Sequence, residues 1–179
     1  SDAEEVVREN RELVERIVRE VEKILRDNEE LVKRLVELVE TSLRRNEKMV
    51  DELKKLVDRN KDKERLLEDA KRRSEKNERE LEEILERLKR ESDKSLKRIK
   101  EVLDELRKES KRLDDELRAR RVDSRVIKEI RDTSKDAVRK VEEVLRRIEE
   151  TVRDAERKVK EVIKRIRETS KEVLDRVRK

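Results

Sequence analysis

Residues 10–46 read NRELVERIVREVEKILRDNEELVKRLVELVETSLRRN, and in this stretch Asn10, Asn28 and Asn46 stand 18 residues apart, each among Leu, Val and Ile. Eighteen residues make five turns of an α-helix at 3.6 residues per turn. The inward positions step accordingly: Asn10, Leu13, Ile17, Val21, Ile24 and Asn28, then Leu31, Leu35, Val39, Ser42 and Asn46. Flanking Val7, Val14, Val18, Leu25, Val32, Val36 and Leu43 widen this into a stripe covering roughly 140° of a helical wheel, with the asparagines near its middle. A sustained heptad would impose a left-handed supercoil and an 11-residue repeat a right-handed one. A repeat of 18 in five turns matches the unstrained helix, so it predicts straight helices.

The same spacing recurs with serine at Ser74, Ser92 and Ser110, and with threonine at Thr133, Thr151 and Thr169. Two further stripes accompany these residues. One runs through Leu66, Leu67, Ala70, Leu81, Ile84, Leu85, Leu88, Ile99, Val102, Leu103, Leu106, Leu113 and Leu117. The other runs through Val126, Ile127, Ile130, Ala137, Val141, Val144, Leu145, Ile148, Ala155, Val159, Val162, Ile163, Ile166, Val173 and Val177. Capping signals bound the stripes. Asp2, with Glu5 three residues on, resembles a capping box, and Asp62 and Asp123 are candidate N-caps. Val122 and Ile127 around Asp123 fit a hydrophobic staple. Asn60 is the residue best suited to the left-handed position that glycine takes at a helix end.

Antiparallel neighbours give facing residues a constant index sum. Asn10 with Ser110, Asn28 with Ser92 and Asn46 with Ser74 all sum to 120, which centres the first turn on Asn60. Ser110 with Thr133, Ser92 with Thr151 and Ser74 with Thr169 all sum to 243, which centres the second turn between Arg121 and Val122. Both centres agree with the caps. The expectation is an all-α, single-chain, antiparallel up-down-up three-helix bundle, one domain over residues 1–179, with helices at about 2–59, 63–119 and 124–178.

Three polar cross-sections follow: Asn10–Ser110–Thr133, Asn28–Ser92–Thr151 and Asn46–Ser74–Thr169, the last enlarged by Ser42, Asn77 and Ser170. An amide offers two donors and an acceptor carbonyl, and a hydroxyl offers one donor and two acceptor sites, so each set can close a small network. A buried polar group without a partner costs about 1–3 kcal/mol. Repeated placement in an apolar stripe therefore implies pairing, and a slipped register would set Asn against Leu.

The composition limits the chemistry. Of 179 residues, 59 % are charged and 31 % hydrophobic, and Gly, Pro, Cys, His, Phe, Tyr and Trp are all absent. At an average glycine frequency near 7 %, a random chain of this length would lack Gly roughly twice in a million. Such a charge content suits disorder, but a disordered tract has no use for a phased apolar stripe. The net charge of +5 comes from 55 basic and 50 acidic residues with the signs interspersed, a surface that confers solubility more than it marks a partner. No apolar run approaches the roughly 18 residues of a membrane span. The N-terminal Ser-Asp-Ala-Glu-Glu lacks signal-peptide character, so localisation is not legible.

This regularity resembles de novo designed helical bundles, built from ideal straight helices with hydrogen-bond networks placed in chosen layers. The resemblance spans the whole chain. It rests on the 18-residue repeat, the Asn/Ser/Thr layers, the missing residue types and the Glu/Lys/Arg surface. It implies a scaffold without an evolved activity. The glycine-free turns depart from it, because such bundles often place Gly at helix ends.

No enzyme is expected. There is no His, Cys or Tyr to move a proton or attack at neutral pH, and none of the stripes contains a carboxylate. No cofactor or metal is expected without His and Cys ligands or a glycine-rich phosphate loop. Arg118, Arg120, Arg121 and Arg125 cluster at the second turn, but no aromatic residue accompanies them for base stacking. Trp and Phe anchors for a membrane surface are missing too. No partner is required. The alternative is a coiled-coil type module that self-associates or takes a helical partner, with Leu38 and Leu56 at the margin of the broadest stripe.

Overall fold

The computed structural model describes residues 2–59 and 62–178. Three long helices pack against one another: α1 (Asp2–Arg59), α2 (Lys63–Ala119) and α3 (Ser124–Arg178). No strand occurs among the described residues. The bounds coincide with those expected from the capping signals, with one change. Asp2 is the first residue of α1, so its carboxylate acts from inside the first turn with Glu4 and Glu5, where acidic groups meet the positive end of the helix dipole. The expected turn residue Asn60 lies outside the described residues.

The α2–α3 turn solves the glycine problem with an arginine. Arg121 has φ 55°, the left-handed region that glycine normally takes after a helix. The Val122 N–H donates to the Leu117 carbonyl and the Arg121 N–H to the Arg118 carbonyl, both at 3.1 Å. These are the paired 6→1 and 5→2 bonds of a Schellman motif. The chain then enters α3 through Asp123, whose Oδ1 accepts from the Arg125 N–H at 3.0 Å, the N-cap bond that satisfies one of the free donors of the first turn.

The 18-residue period governs burial in every helix. Val14, Val32 and Val50 are buried, as are Ile17, Leu35 and Leu53, and Val21, Val39 and Val57. In α2 the sets are Ala70, Leu88, Leu106 and Leu81, Ile99, Leu117; in α3 they include Ile130, Ile148, Ile166 and Ala137, Ala155, Val173. No charged side chain is among the buried described residues.

The described residues group into two compact units. The first comprises residues 2–29 and 91–151, the second residues 30–59, 62–90 and 152–178. The core of the first holds Val21 of α1, Ile99, Val102 and Leu106 of α2, and Val141 and Ile148 of α3. In the second, Val39, Leu81, Val159, Val162, Ile163 and Ile166 form one cluster, and Met49, Val50, Leu53, Ala70 and Val173 another. Each large side chain buried this way contributes about 1.5–3 kcal/mol before chain entropy is subtracted.

Within each unit the helices keep one register. α1 and α2 run antiparallel: Glu20 meets Arg98 in the first unit, and Arg45 meets Glu80 in the second. Six ion pairs between α1 and α3 join residues 118 apart. Arg11–Glu129 and Glu29–Arg147 do so in the first unit; Glu40–Lys158, Glu47–Arg165, Lys54–Glu172 and Asp58–Arg176 do so in the second. α1 and α3 are therefore parallel. Pairs of this exposure contribute little to stability, but their constant offset favours one alignment, as flanking charges do in coiled coils.

Candidate functional site

The second unit holds the best-connected polar cluster. Asn46 of α1 is fully buried. Its Nδ2 donates to Thr169 Oγ1 of α3 at 3.1 Å, and its Oδ1 accepts from Asn77 Nδ2 of α2 at 3.1 Å. One amide thus ties all three helices together. Thr169 also donates its own proton to the Ile166 carbonyl at 2.9 Å. A hydroxyl keeps acceptor capacity after donating, so the bond along its own helix and the bond across to α1 coexist. Ser170 donates to the same carbonyl at 2.8 Å.

Here the structure corrects the expected pairing. Asn46 bonds Asn77, and the Oγ of Ser74, its partner by index sum, is buried and unbonded, as is that of Ser42. The physical reason is donor supply. Ser74 has one rotatable O–H on a short side chain, whereas Asn77 presents an amide that reaches one turn further along α2.

In the first unit Asn28, 2 % exposed, donates from Nδ2 to Ser92 Oγ at 3.3 Å. Thr151 does not join this pair, and Asn28 Oδ1 is buried without a partner. The remaining set stays open. Asn10 is buried but bonds neither Ser110 nor Thr133. Ser110 donates to the Leu106 carbonyl at 2.7 Å and Thr133 to the Glu129 carbonyl at 2.9 Å, each on its own helix.

A second correction concerns depth. Ser110, Thr133, Thr151, Thr169 and Ser170 are half-buried, where the spacing places them in the core. On α3 the inward direction falls toward the residue after each of the first two threonines: Ser134 and Val152 are 4 % and 9 % exposed. Index sums fix the level along an axis and leave the rotation about it open. Ser134 is the buried hydroxyl that the spacing argument missed. Its signal was present, because residues 134, 152 and 170 keep the same 18-residue step.

Electrostatics are confined to the surface. A hydrogen bond from Lys158, reinforced by its charge, holds the Glu40 carboxyl below its ordinary value, and a hydrogen bond from Arg176 does the same for Asp58. The reciprocal bonds raise Arg98 through Glu20, Arg131 through Asp114 and Arg176 through Asp58. At the α2–α3 turn, Arg118 pairs with Asp114 and Arg120 with Glu116, so half of the expected basic cluster is engaged by acids one turn back. Among the described residues there is no group of three or more His, Cys, Asp or Glu arranged to hold a metal. No described helix is long and apolar enough to cross a membrane.

No protein-family model matches the chain, and no curated protein matches it. Among solved structures it is similar to a chain described as a "Computationally designed three helix bundle". The two are 18 % identical, the match covers 99 % of this chain and 84 % of that one, and the TM-score is 0.59. At that identity the likeness establishes the fold, a three-helix bundle.

Proposed function

We propose that the chain is a designed structural scaffold without an evolved biochemical activity, and that its buried polar clusters set helix register and pairing. The observation that carries this reading is Asn46, which bonds Asn77 on α2 and Thr169 on α3 from the middle of an apolar stripe. Such a cluster adds little net stability over apolar packing. Its effect is to penalise wrong alignments, because any slip strands an amide against aliphatic side chains. The missing residue types, the strict repeat and the designed bundle of the same fold all accord with this origin.

The test replaces Asn46, Asn77 and Thr169 together with Leu, Leu and Val. Removing all three bonded members together strands none of their partners, so the variant is expected to be as stable as the parent or more so. It is also expected to form additional oligomers or mixed registers in equilibrium sedimentation. A triple variant that stays as uniform in mass and amide spectrum as the parent would remove the register role.

A second reading, a helix-mediated interaction module, is favoured by one observation. Leu38 and Leu56, 50 % and 45 % exposed, lie on α1 at the 18-residue step. On this reading the solution mass rises with concentration, and Leu38→Glu with Leu56→Glu abolishes the rise.

A further inference from the structure

In the first unit α2 and α3 leave a groove of about 510 Å³ between them, within the roughly 300–1,000 Å³ typical of small-molecule sites. Its apolar surface comes from Ile130 and Val138. Its rim carries Arg107, Lys111, Arg131, Lys135 and Arg139 against a single carboxylate, Asp114. On a chain whose 55 basic and 50 acidic residues nearly cancel, that local imbalance is pronounced. Asp114 is already held by Arg131, whose Nε and Nη2 donate to its two oxygens at 2.7 and 3.0 Å, and by Arg118 at 3.3 Å. Arg107 pairs with Glu142 and Arg139 with Asp136. Lys111 and Lys135 stand outside these pairs.

Ser134 supplies an independent indication. It is 4 % exposed, it lines the groove, and its Oγ has no hydrogen-bond partner. The register across the groove follows from the Asp114–Arg131 pair, whose indices sum to 245. Lys111 with Lys135 sums to 246 and Ser110 with Ser134 to 244. Lys111 and Ser110 on α2 and Lys135 and Ser134 on α3, all lining the groove, therefore share one level of the bundle. The Ser110 proton is committed to Leu106, and the Ser134 O–H is the unspent donor of the two.

We infer that the α2–α3 groove of the first unit binds small organic anions with an apolar body, of the aryl or alkyl sulfonate and carboxylate class. The acid group sits between Lys111 and Lys135 and accepts from Ser134, and the apolar body lies on Ile130 and Val138. The second unit contains a natural control. Its groove of about 360 Å³, lined by Leu35, Leu38, Ser42 and Ile84 among others, has Arg45 and Arg87 balanced by Glu80 and Glu83. It offers apolar surface and an unpaired hydroxyl without a net charge to attract an anion.

The full chain is titrated with 1-naphthalenesulfonate and, separately, with neutral 1-naphthalenemethanol, and amide chemical shifts are followed. Saturable sulfonate shifts confined to residues 107–114 and 130–139 are expected, with the alcohol binding at least tenfold more weakly, a difference of about 1.4 kcal/mol. The exposed substitutions Lys111→Glu and Lys135→Glu together lower sulfonate affinity by at least about tenfold, and the milder Lys111→Gln with Lys135→Gln lowers it about threefold. Ser134→Val places at residue 134 the side chain the chain already carries at Val152, so the fold is retained while affinity falls. Equal affinity for sulfonate and alcohol, equal shifts in both grooves, undiminished affinity in the glutamate variant, or no saturation by about 10 mM sulfonate (a free energy weaker than about −3 kcal/mol) would each overturn the inference.

Discussion

Asn46 and Asn10 occupy equivalent places in the repeat, 36 residues apart, yet they end in different environments. Asn46 bonds side chains on both neighbouring helices. Asn10 bonds neither of its expected partners, Ser110 and Thr133, whose hydroxyls have each turned back onto their own helix. Asn28 is intermediate, with one bond across and one buried oxygen left over. Within these buried clusters, the interhelical bonds among the described residues are all donated by an asparagine amide. Ser and Thr in a helix readily return their single proton to the carbonyl one turn earlier, and thereafter they can only accept. A polar cluster in a helical bundle closes where donors are plentiful, and the second unit alone contributes a second asparagine, Asn77.

This contrast yields a graded series. Asn46→Ala is expected to have the largest effect, a loss of about 3 kcal/mol, because it strands the buried Asn77 amide and opens a cavity. Asn28→Ala is expected to cost about 1 kcal/mol, since it breaks the bond to Ser92 but also removes an oxygen that had no partner. Asn10→Ala is expected to be neutral or to stabilise by up to about 0.5 kcal/mol, the gain in helix propensity outweighing a side chain that bonds neither expected partner. Denaturant midpoints of the three variants check the order. Equal losses at all three positions would erase the distinction between the units.

The smallest effect concerns the two carboxylates with lowered pKa, Glu40 and Asp58, both in the second unit. A group whose folded pKa is lowered stabilises the fold at pH values above the ordinary carboxylate range, and that contribution is lost as the pH falls through the range. Glu40→Gln and Asp58→Asn are therefore expected to lower the denaturant midpoint slightly at pH 7 and to match the parent at about pH 3. With no His in the chain, stability is expected to stay flat between about pH 5 and 8.

The helices and their ends were legible in the sequence because periodicity and caps are local. Asp123 caps α3 as its type suggests, and the index sums centre the second turn between Arg121 and Val122, within residues 120–123, where α2 gives way to α3. The identity of the αL residue was not legible, because this turn offers neither Gly nor Asn and Arg120 and Arg121 are alike in propensity, and Arg121 takes the position. In the candidate site, the choice of Asn77 over Ser74 and the inward turn of Ser134 depend on rotation about each axis. Spacing fixes level and leaves rotation to packing: the bonds Asn28–Ser92 and Asn46–Thr169 each join members of one expected layer, but spacing did not decide which members would touch.

The most direct measurement is a pair of double-mutant cycles in denaturant, Asn46→Ala with Asn77→Ala and Asn10→Ala with Ser110→Ala. If donor supply decides which cluster closes, the first pair couples by about 1–3 kcal/mol, because each amide is the other's buried partner. The second pair is then additive to within about 0.5 kcal/mol. Additive behaviour of Asn46 and Asn77, or coupling of Asn10 to Ser110 as strong as theirs, would contradict it.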